Sequence, residues 1–577
     1  MPGWLLPTLR GYRPAWLRGD VVAGLTVWAV LVPEALAYAS IAGVSPVVGL
    51  YAAIPALILY PLFGSSRHLV VGPMSATAAL SAGVVADIAA ADGADYAELT
   101  AALAIAVGVV ALVAGLLRLG FLAQFISEPV LKGFIVGMAL VIIVGQLPKL
   151  FGVEGGEGNV FEQTWSLITS LDDTNGATLL IGTVCLALVL VLRRVAPLVP
   201  GSLVAVVVGI AAVGLFGLED RGVAIVGEVE SGLPAIGLPG VGTGDVALLL
   251  SGAFGIMLVG FAEGLGAAKT YAQRNGYRIE PNRELLGLGA ANVGAGLTSG
   301  MVVNGSLSKT AVNGGAGARS QVSGLVVAVL TVVTLLFLTG LFEELPESAL
   351  AAVVIAAVIE LVDVPALRRL FRVSTARLSS IYGHAARADF ICALGALLGV
   401  LVFGTLPGLA VGIGLSLVLL LYRASRPHVA VLGRVPGGAP GTRGQWADVE
   451  RHPGNLPQPG VAVLRVESGI FFANADTVHE RIRAAATDAR AVVLDCSTVP
   501  VVDVTAADML RDAAEELERD GRRLLVVRDI GQVRDVLRQA GDTAVLDHVF
   551  TTIDEAAGSV ERPTTSPTNA SRNKEES

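Results

Sequence analysis

The stretch that decides the fold is 260-GFAEGLGAAKTYAQRNGYRIEPNRELLGLGAANVGAGLTSGMVVNGSLSKTAVN-313. It lies between two apolar runs, yet it carries an acid, Glu263, and a base, Lys309, among glycines and serines. Ionisable side chains at membrane depth are costly, so they usually face a cavity on an ion or substrate pathway. Residues 304–313 predict a short, broken helix whose start can hold an anion. The alternative is a loop followed by an ordinary helix.

The composition is that of a membrane protein. Hydrophobic residues make up 53% of the 577 residues, charged residues make up 15%, and the mean hydropathy is +0.69. In soluble domains about a quarter of the residues are charged. Apolar runs recur from Val21 to Tyr422, many of them near the ~20 residues that cross a lipid bilayer. The sequence therefore predicts a polytopic α-helical membrane protein.

Fourteen apolar ranges are predicted to span the bilayer, and the charges between them test that number. Residues 87–98, predicted outside, contain four acids and no Lys or Arg, whereas residues 368–387, predicted inside, contain five Arg and no acid. By the positive-inside rule this alternation places both termini in the cytoplasm, in a cell membrane. The predicted spans are 20–40, 46–63, 69–86, 99–117, 129–146, 177–192, 200–217, 246–267, 284–302, 304–315, 320–341, 348–362, 388–404 and 406–422.

The chain changes character after Tyr422. Residues 435–460 are rich in Pro and Gly, and 461–560 alternate between strand and helix patterns, which predicts a small cytoplasmic α/β domain. The last residues are polar and charged, so we expect them to be disordered. The predicted organisation is a cytoplasmic N-terminus (1–18), a transport domain (19–425), a linker (426–460), the α/β domain (461–560) and a tail (561–577).

The two halves of the transport domain, 19–217 and 246–425, repeat features at matching spans. Glu34 lies in the first span and Glu263 in the eighth, while the third opens with 71-VGPMSATAAL-80 and the tenth with 304-NGSLSKTAV-312. Helix breaks at matching places predict an inverted repeat of seven plus seven spans, with a binding site where the broken helices meet.

The chemistry expected at such a site follows from the ends of the helices. A helix start presents unpaired N–H groups and a partial positive charge, so two facing starts can replace the water shell of an anion. Met74, Ser75 and Ala76 are predicted to form one start, Ser306, Leu307 and Ser308 the other, and Lys309 adds positive potential. For each of these serines, packing between helices is the alternative role.

Two carboxylates beside an anion site pose an electrostatic problem. Ionised Glu34 and Glu263 would both repel an anion, so we expect at least one of them to be protonated. Glu263 either releases its proton after delivery, as a coupling group, or pairs with Lys309 in a structural role. Glu34 is predicted to belong to the substrate site, where it either binds the substrate or carries a proton. Tyr38 lies four residues after Glu34 on the same helical face, and it either lines the pocket or packs in the core.

At these residues the sequence resembles the SulP family of anion permeases, which is related to the animal sulfate and chloride/bicarbonate exchangers. The matching stretches are 32-VPEALAYASIAGVSPVVGLYAA-53, 64-GSSRHLVVGPMSATAAL-80 and residues 263–326. The stretch 491-AVVLDCSTVPVVDVTAADML-510 is similar to the STAS domain, which sulfate transporters share with anti-sigma factor antagonists.

The resemblance implies core and gate domains, elevator-like movement and a homodimer, with an anion between the starts of the third and tenth spans. It implies that Tyr38 lines the pocket and that Met74, Ser75, Ser308 and Lys309 form the two starts. Glu263 matches an acidic position often tied to cation coupling.

Two positions depart from the family pattern. The family usually has Gln where this chain has Glu34, and Arg where it has Lys309, which keeps the charge but not the planar fork. In the C-terminal domain, Val504 follows Asp503 where anti-sigma antagonists have a phosphorylatable Ser. We therefore expect this domain to act in dimerisation or regulation.

These observations predict a secondary active transporter for a small inorganic anion, with sulfate favoured and proton coupling favoured over sodium. A bicarbonate or C4-dicarboxylate transporter, an uncoupled exchanger and a channel are the alternatives. The sequence shows no nucleophile paired with a base, no metal cluster, no phosphate-binding loop and no basic nucleic-acid-binding domain. We therefore expect neither an enzyme nor a cofactor.

Overall fold

The computed structural model describes residues 12–92, 95–121, 127–156, 158–196, 199–372, 387–436, 445–528, 531–540 and 548–561. They form two compact units, one running to Ser416 and the other beginning at Leu417. The tail predicted to be disordered lies outside the described residues, apart from Glu561.

The first unit is helical, and each of the fourteen predicted ranges contains a helix. Within the described residues, six helices are long and apolar enough to cross a membrane, namely the first, fourth, fifth, seventh, ninth and last of the series below, and six more are shorter and apolar. In chain order the helices are α1 (Leu17–Ile41), α2 (Val47–Phe63), α3 (Ser75–Asp92), α4 (Tyr96–Leu116), α5 (Glu128–Phe151), α6 (Val160–Thr169), α7 (Gly176–Val195), α8 (Gly201–Phe216), α9 (Thr243–Arg274), α10 (Pro281–Leu297), α11 (Leu307–Gly315), α12 (Val322–Phe337), α13 (Glu347–Val358), α14 (Val364–Arg372), α15 (Ala388–Phe403) and α16 (Thr405–Ser425).

Two predicted spans open with a strand, so the helical prediction is wrong at their first residues. Strand β1 (Val70–Gly72) precedes α3, and β2 (Asn304–Ser306) leads directly into α11. The two strands pair antiparallel, with Val70 opposite Ser306 and Gly72 opposite Asn304. Non-helical backbone at membrane depth must find hydrogen-bond partners inside the protein. Each strand supplies those partners to the other.

Glycines let the apolar helices approach one another closely. A Cβ atom at Gly133 of α5 would overlap the carbonyl oxygen of Ala393 of α15, and one at Gly49 of α2 would overlap that of Ala35 of α1. Lipid tails are as apolar as the helices, so close van der Waals packing drives helix association in a membrane. At these two contacts the backbones touch directly.

Two fully buried carboxylates tie the first half of this unit to the second. Asp20 at the start of α1 accepts hydrogen bonds from the backbone N–H (3.1 Å) and the hydroxyl (2.7 Å) of Ser320. Glu284 in the first turn of α10 accepts bonds from the Tyr60 hydroxyl (2.7 Å) and from the N–H (2.8 Å) and hydroxyl (2.6 Å) of Ser65. Buried charges are tolerated when they are hydrogen-bonded in this way.

The second unit contains a six-stranded sheet in the order β4-β3-β5-β6-β7-β8. Strands β5 to β8 run parallel, and β3 pairs antiparallel with β5 and β4. Helices cover both faces, as two separate buried clusters show. The elements are β3 (Val429–Arg434), β4 (Trp446–Asp448), β5 (Val461–Val466), α17 (Ala475–Ala486), β6 (Ala491–Asp495), α18 (Val504–Arg519), β7 (Arg523–Val527), α19 (Gly531–Gln539), β8 (Val549–Phe550) and α20 (Ile553–Glu561).

The predicted boundary of this unit at residue 461 is too late. Strand β3 lies in the range predicted as a linker, yet Val429 pairs with Val466 and Val431 with Leu464 of β5. Strand β4 lies in the same range and pairs with β3. The Pro- and Gly-rich composition of 435–460 hid β4, a three-residue strand at the edge of the sheet, whereas β3 lies just before that stretch.

Candidate functional site

Lys309 is the centre of a buried junction between three elements. Its ammonium group lies 2.8 Å from the Glu34 carboxylate of α1, and both side chains are almost completely buried. The same group donates a hydrogen bond of 3.1 Å to the carbonyl of Pro73, between β1 and α3. It also lies 4.9 Å from the centre of the Tyr38 ring, where a cation–π contact forms. One cation thus joins α1, the start of α3 and α11.

The start of α11 is capped by its own serine. Ser306 has an extended backbone, and its hydroxyl accepts a hydrogen bond of 3.2 Å from the N–H of Lys309. Its oxygen also lies 3.1 Å from the hydroxyl of Ser308. Ser306 is buried, whereas Ser308 and Leu307 are exposed. Ser308 is therefore the serine of this start that a solute can reach.

The start of α3 is more enclosed. The carbonyl of Met74 accepts the hydrogen bond from the N–H of Ala78, as expected for the residue before a helix. Ser75 and Ala76 are buried and Met74 is half-buried. Because β1 and β2 are antiparallel, α11 starts beside Val70 and α3 starts beyond the other end of the paired strands. The two predicted starts therefore approach the junction from opposite ends of the same ribbon.

A cavity of about 130 Å³ borders this junction. Its polar lining includes Glu34 and Thr26 of α1, Ser308 of α11, Arg193 at the end of α7 and Ser202 in the first turn of α8. Val30, Val312 and Val353 are among the apolar residues that line it. Of the predicted site residues, Glu34 and Ser308 line the cavity. Tyr38, Met74, Ser75, Ala76, Ser306, Leu307 and Lys309 do not belong to its described lining.

Arg193 is a charged cavity residue that the sequence analysis did not place in the site. It is half-buried at the end of α7, and its Nη1 donates a hydrogen bond of 2.8 Å to the carbonyl of Ala356 in α13. In the sequence, Arg193 and Arg194 form an ordinary basic pair after an apolar run, which indicates only membrane orientation. No periodicity in the sequence shows whether Arg193 or Arg194 lines the cavity.

Glu263 does not take part in the junction as an ion partner of Lys309. The structure gives that place to Glu34, so the predicted alternative of a Glu263–Lys309 pair is wrong. The Oε2 atom of Glu263 is buried and has no hydrogen-bond partner among the described residues. On the same helix, Cβ atoms at Gly260 and Gly264 would lie 3.2 Å and 3.1 Å from the side chain of Asn304. Glu263 is therefore carried by the helix that packs on β2.

Comparisons with protein families identify both units. The model of the sulfate permease family matches residues 17–383, and that of the STAS domain matches residues 455–556. The first match covers more than half of the chain. The chain belongs to the sulfate permease family. The resemblance read from the sequence is thereby confirmed in both units.

Curated relatives agree with this membership. The chain is 38% identical to a probable sulfate transporter of Mycobacterium tuberculosis strain CDC 1551, over 97% of this chain and 98% of the relative. It is 31% identical to the chloroplastic sulfate transporter 4.1 of Arabidopsis thaliana, over 92% of this chain and 78% of the relative. These proteins are transporters rather than enzymes, as the sequence analysis expected for this member of the family.

Solved structures share the fold. The murine Solute Carrier 26 family member A9 anion transporter, described in its inward-facing state, aligns with a TM-score of 0.86 at 22% identity and covers 96% of this chain and 94% of its own. The transmembrane domain of a cyanobacterium bicarbonate transporter aligns with a TM-score of 0.60 at 23% identity over 70% of this chain and 99% of its own. A multi-span helical body followed by a STAS domain is therefore confirmed.

Proposed function

We propose that this protein is a secondary active transporter that takes up sulfate by proton symport. The observation that carries the proposal is the cavity beside Lys309, which the start of α11 lines through Ser308. Ser308 offers a hydroxyl donor and the start of α11 carries a partial positive charge, and both suit an oxyanion. The sulfate-transporter relatives support sulfate as the substrate.

The buried Glu34–Lys309 pair solves the problem of a carboxylate in an anion cavity. With an ammonium group 2.8 Å away, the charge of Glu34 is balanced within the protein. A substrate anion then meets Ser308 without an uncompensated negative charge in the cavity wall. Burial of either charged side chain without the other would be costly, so the two side chains are expected to act as a unit.

The antiparallel ribbon supports alternating access. Strands β1 and β2 link the starts of α3 and α11 into one element that belongs to both halves of the sequence. We infer that the anion is held between these starts, that the two halves form an inverted repeat, and that the element moves as a body past α7, α8 and α13. Elevator-type movement would then carry the anion across without exposing the ribbon to lipid.

Glu263 is the proposed coupling group. A buried carboxylate oxygen without a hydrogen-bond partner among the described residues is well suited to hold a proton. Its helix packs on Asn304 of β2 through Gly260 and Gly264, so movement of the ribbon changes the surroundings of Glu263. Binding of a proton there would accompany binding of the anion at the start of α11.

The proposal is tested by uptake of radiolabelled sulfate, bicarbonate and succinate into proteoliposomes at fixed membrane potential, with and without an inward proton gradient. Wild type is expected to accumulate sulfate only with the gradient. Glu263→Gln is expected to keep sulfate exchange and to lose accumulation. Glu228→Gln, at an exposed acid, is the matched control and should behave as wild type.

Other outcomes would replace parts of the proposal. Accumulation of bicarbonate or succinate in place of sulfate would change the substrate. Equilibration of label that ignores the gradient would exclude proton coupling and leave an exchanger or a channel.

We further propose a homodimer in the cell membrane with both termini in the cytoplasm. Crosslinking in membranes and protease access to the tail in inside-out vesicles test these two points.

A further inference from the structure

We infer that Arg193 forms a second anion-binding position in the cavity, together with Ser202 of α8, on the wall that faces Ser308 and Glu34. The inference rests on the proposed anion transport and adds a residue that selects the substrate. Sulfate and related tetrahedral oxyanions are the ligands expected there. An anion would occupy this position before or after it reaches the start of α11.

The cavity places Arg193 and the predicted site on different elements. Glu34 and Ser308 come from α1 and α11, which meet at the Lys309 junction, whereas Arg193 and Ser202 come from α7 and α8. All four line the same volume of about 130 Å³. An anion in this volume can therefore contact both walls, or pass from one to the other, without crossing a barrier of protein atoms.

The geometry of Arg193 fixes its guanidinium against α13. The hydrogen bond from its Nη1 to the carbonyl of Ala356 restrains the side chain at the cavity wall. A guanidinium carries five N–H donors in a rigid fork, and one bond to a carbonyl orients the plane of that fork. A restrained fork binds two oxygens of an oxyanion at a lower entropic cost than a flexible cation does.

The start of α8 adds to the same wall. Pro200 precedes the helix without a side-chain cap, and Pro200, Gly201 and Ser202 all line the cavity. The first N–H groups of a helix have no partner within the helix and favour an anion. Ser202 also offers a hydroxyl. The cationic fork and these donors thus face one volume from neighbouring helices.

The choice of anion follows from the shape of the donors. A planar fork matches two oxygens of sulfate, whereas a spherical chloride ion gains little from it over a point charge. Arg193 is therefore expected to favour sulfate over chloride. Arg193→Lys keeps the positive charge and removes the planar fork, so it separates the contribution of charge from that of donor geometry.

The test is binding of radiolabelled sulfate to the purified full-length protein in detergent, with chloride as competitor. Arg193→Gln is expected to raise the Kd for sulfate by about 10-fold or more, the usual loss for a charged hydrogen-bonded contact. Arg193→Lys should raise the Kd for sulfate by more than it raises that for chloride. Arg194→Gln removes the adjacent, exposed charge and should leave both constants within about twofold of wild type.

A second variant separates binding from folding. Ser202→Asp places a carboxylate where the anion would bind, yet an acid in the first turn of a helix is favourable for stability. It should weaken sulfate binding by about 10-fold or more without lowering the melting temperature. Unchanged binding in both Arg193→Gln and Ser202→Asp would overturn the inference while the proposed transport stands. Absence of anion binding and uptake by wild type would overturn the proposed function itself.

Discussion

At the scale of single residues, the Glu34–Lys309 pair is the most consequential contact of the site. Both side chains are buried, and their charged atoms lie 2.8 Å apart. Removing one partner of a buried pair leaves an uncompensated charge, which costs about 3–5 kcal/mol, whereas removing both charges costs much less. The stability of the site therefore depends on the pair more than on either residue.

This contact predicts a non-additive pair of substitutions. Lys309→Gln should lower the melting temperature in detergent and abolish sulfate uptake, because Glu34 is left buried and charged. Glu34→Gln combined with Lys309→Gln should recover most of the lost stability. Differential scanning fluorimetry of both variants, with uptake in parallel, measures the effect. Lys269→Gln, at an exposed lysine, is the control, and a double variant as unstable as Lys309→Gln would contradict the role of the pair.

At the scale of elements, the ribbon of β1 and β2 holds the two helix starts in register. Its central residue on β2 is Gly305, opposite Val71. A Cβ atom there would lie 2.8 Å from a methyl carbon of Leu69 and 3.1 Å from the Cα of Gly264 in α9. The ribbon is therefore fixed between two neighbours that leave no room for a side chain, and Gly264 cannot move aside without moving α9.

Two glycines of the same segment predict opposite outcomes. Gly305→Ala should displace β2 and reduce sulfate uptake by about 10-fold or more, because sub-ångström to ångström shifts of positioning groups have effects of this size. Gly315 lies at the end of α11, and an added Cβ there would have nothing within 4 Å. Gly315→Ala should therefore keep wild-type uptake. Initial rates at equal amounts of reconstituted protein compare the two. Equal rates in both variants would show that the ribbon tolerates displacement.

At the scale of the whole molecule, the second unit has what an independently folding domain needs. Its sheet is covered on both faces, with Leu494 in one buried cluster and Val493 in the other. Asp495 is fully buried and accepts hydrogen bonds from the guanidinium groups of Arg465 (2.8 Å) and Arg528 (2.6 Å). This buried carboxylate is satisfied within the unit.

Two fragments test where this unit begins. A fragment of residues 423–577 should be soluble and unfold in a single cooperative transition in urea, because it contains β3, β4 and the carbonyls of Ala424 and Ser425 that accept bonds from Asn474 and Thr477. A fragment beginning at Val461, the boundary read from the sequence, lacks β3 and β4. Its β5 edge is then unpaired, and we expect it to aggregate. A soluble, cooperative short fragment would show that β3 is dispensable.

The sequence by itself determined the class of the protein and the position of its helices. Apolar runs of membrane-spanning length and alternating loop charge are local properties, and each of the fourteen predicted ranges contains a helix. It also predicts Glu34, Ser308 and Lys309 as site residues, because polar groups in apolar segments stand out without any knowledge of the fold.

Only the tertiary structure decided which of these groups meet. Lys309 pairs with Glu34, 275 positions away in the chain, and not with the nearer Glu263, because α11 packs against α1 and its lysine reaches that helix. The same packing selects Arg193 over Arg194 as a cavity residue. Partner choice depends on distances across the fold, and such distances leave no periodic trace in a single sequence. The strands β1 and β2 escaped prediction for the same reason, since three residues form a strand only when a second strand lies beside them.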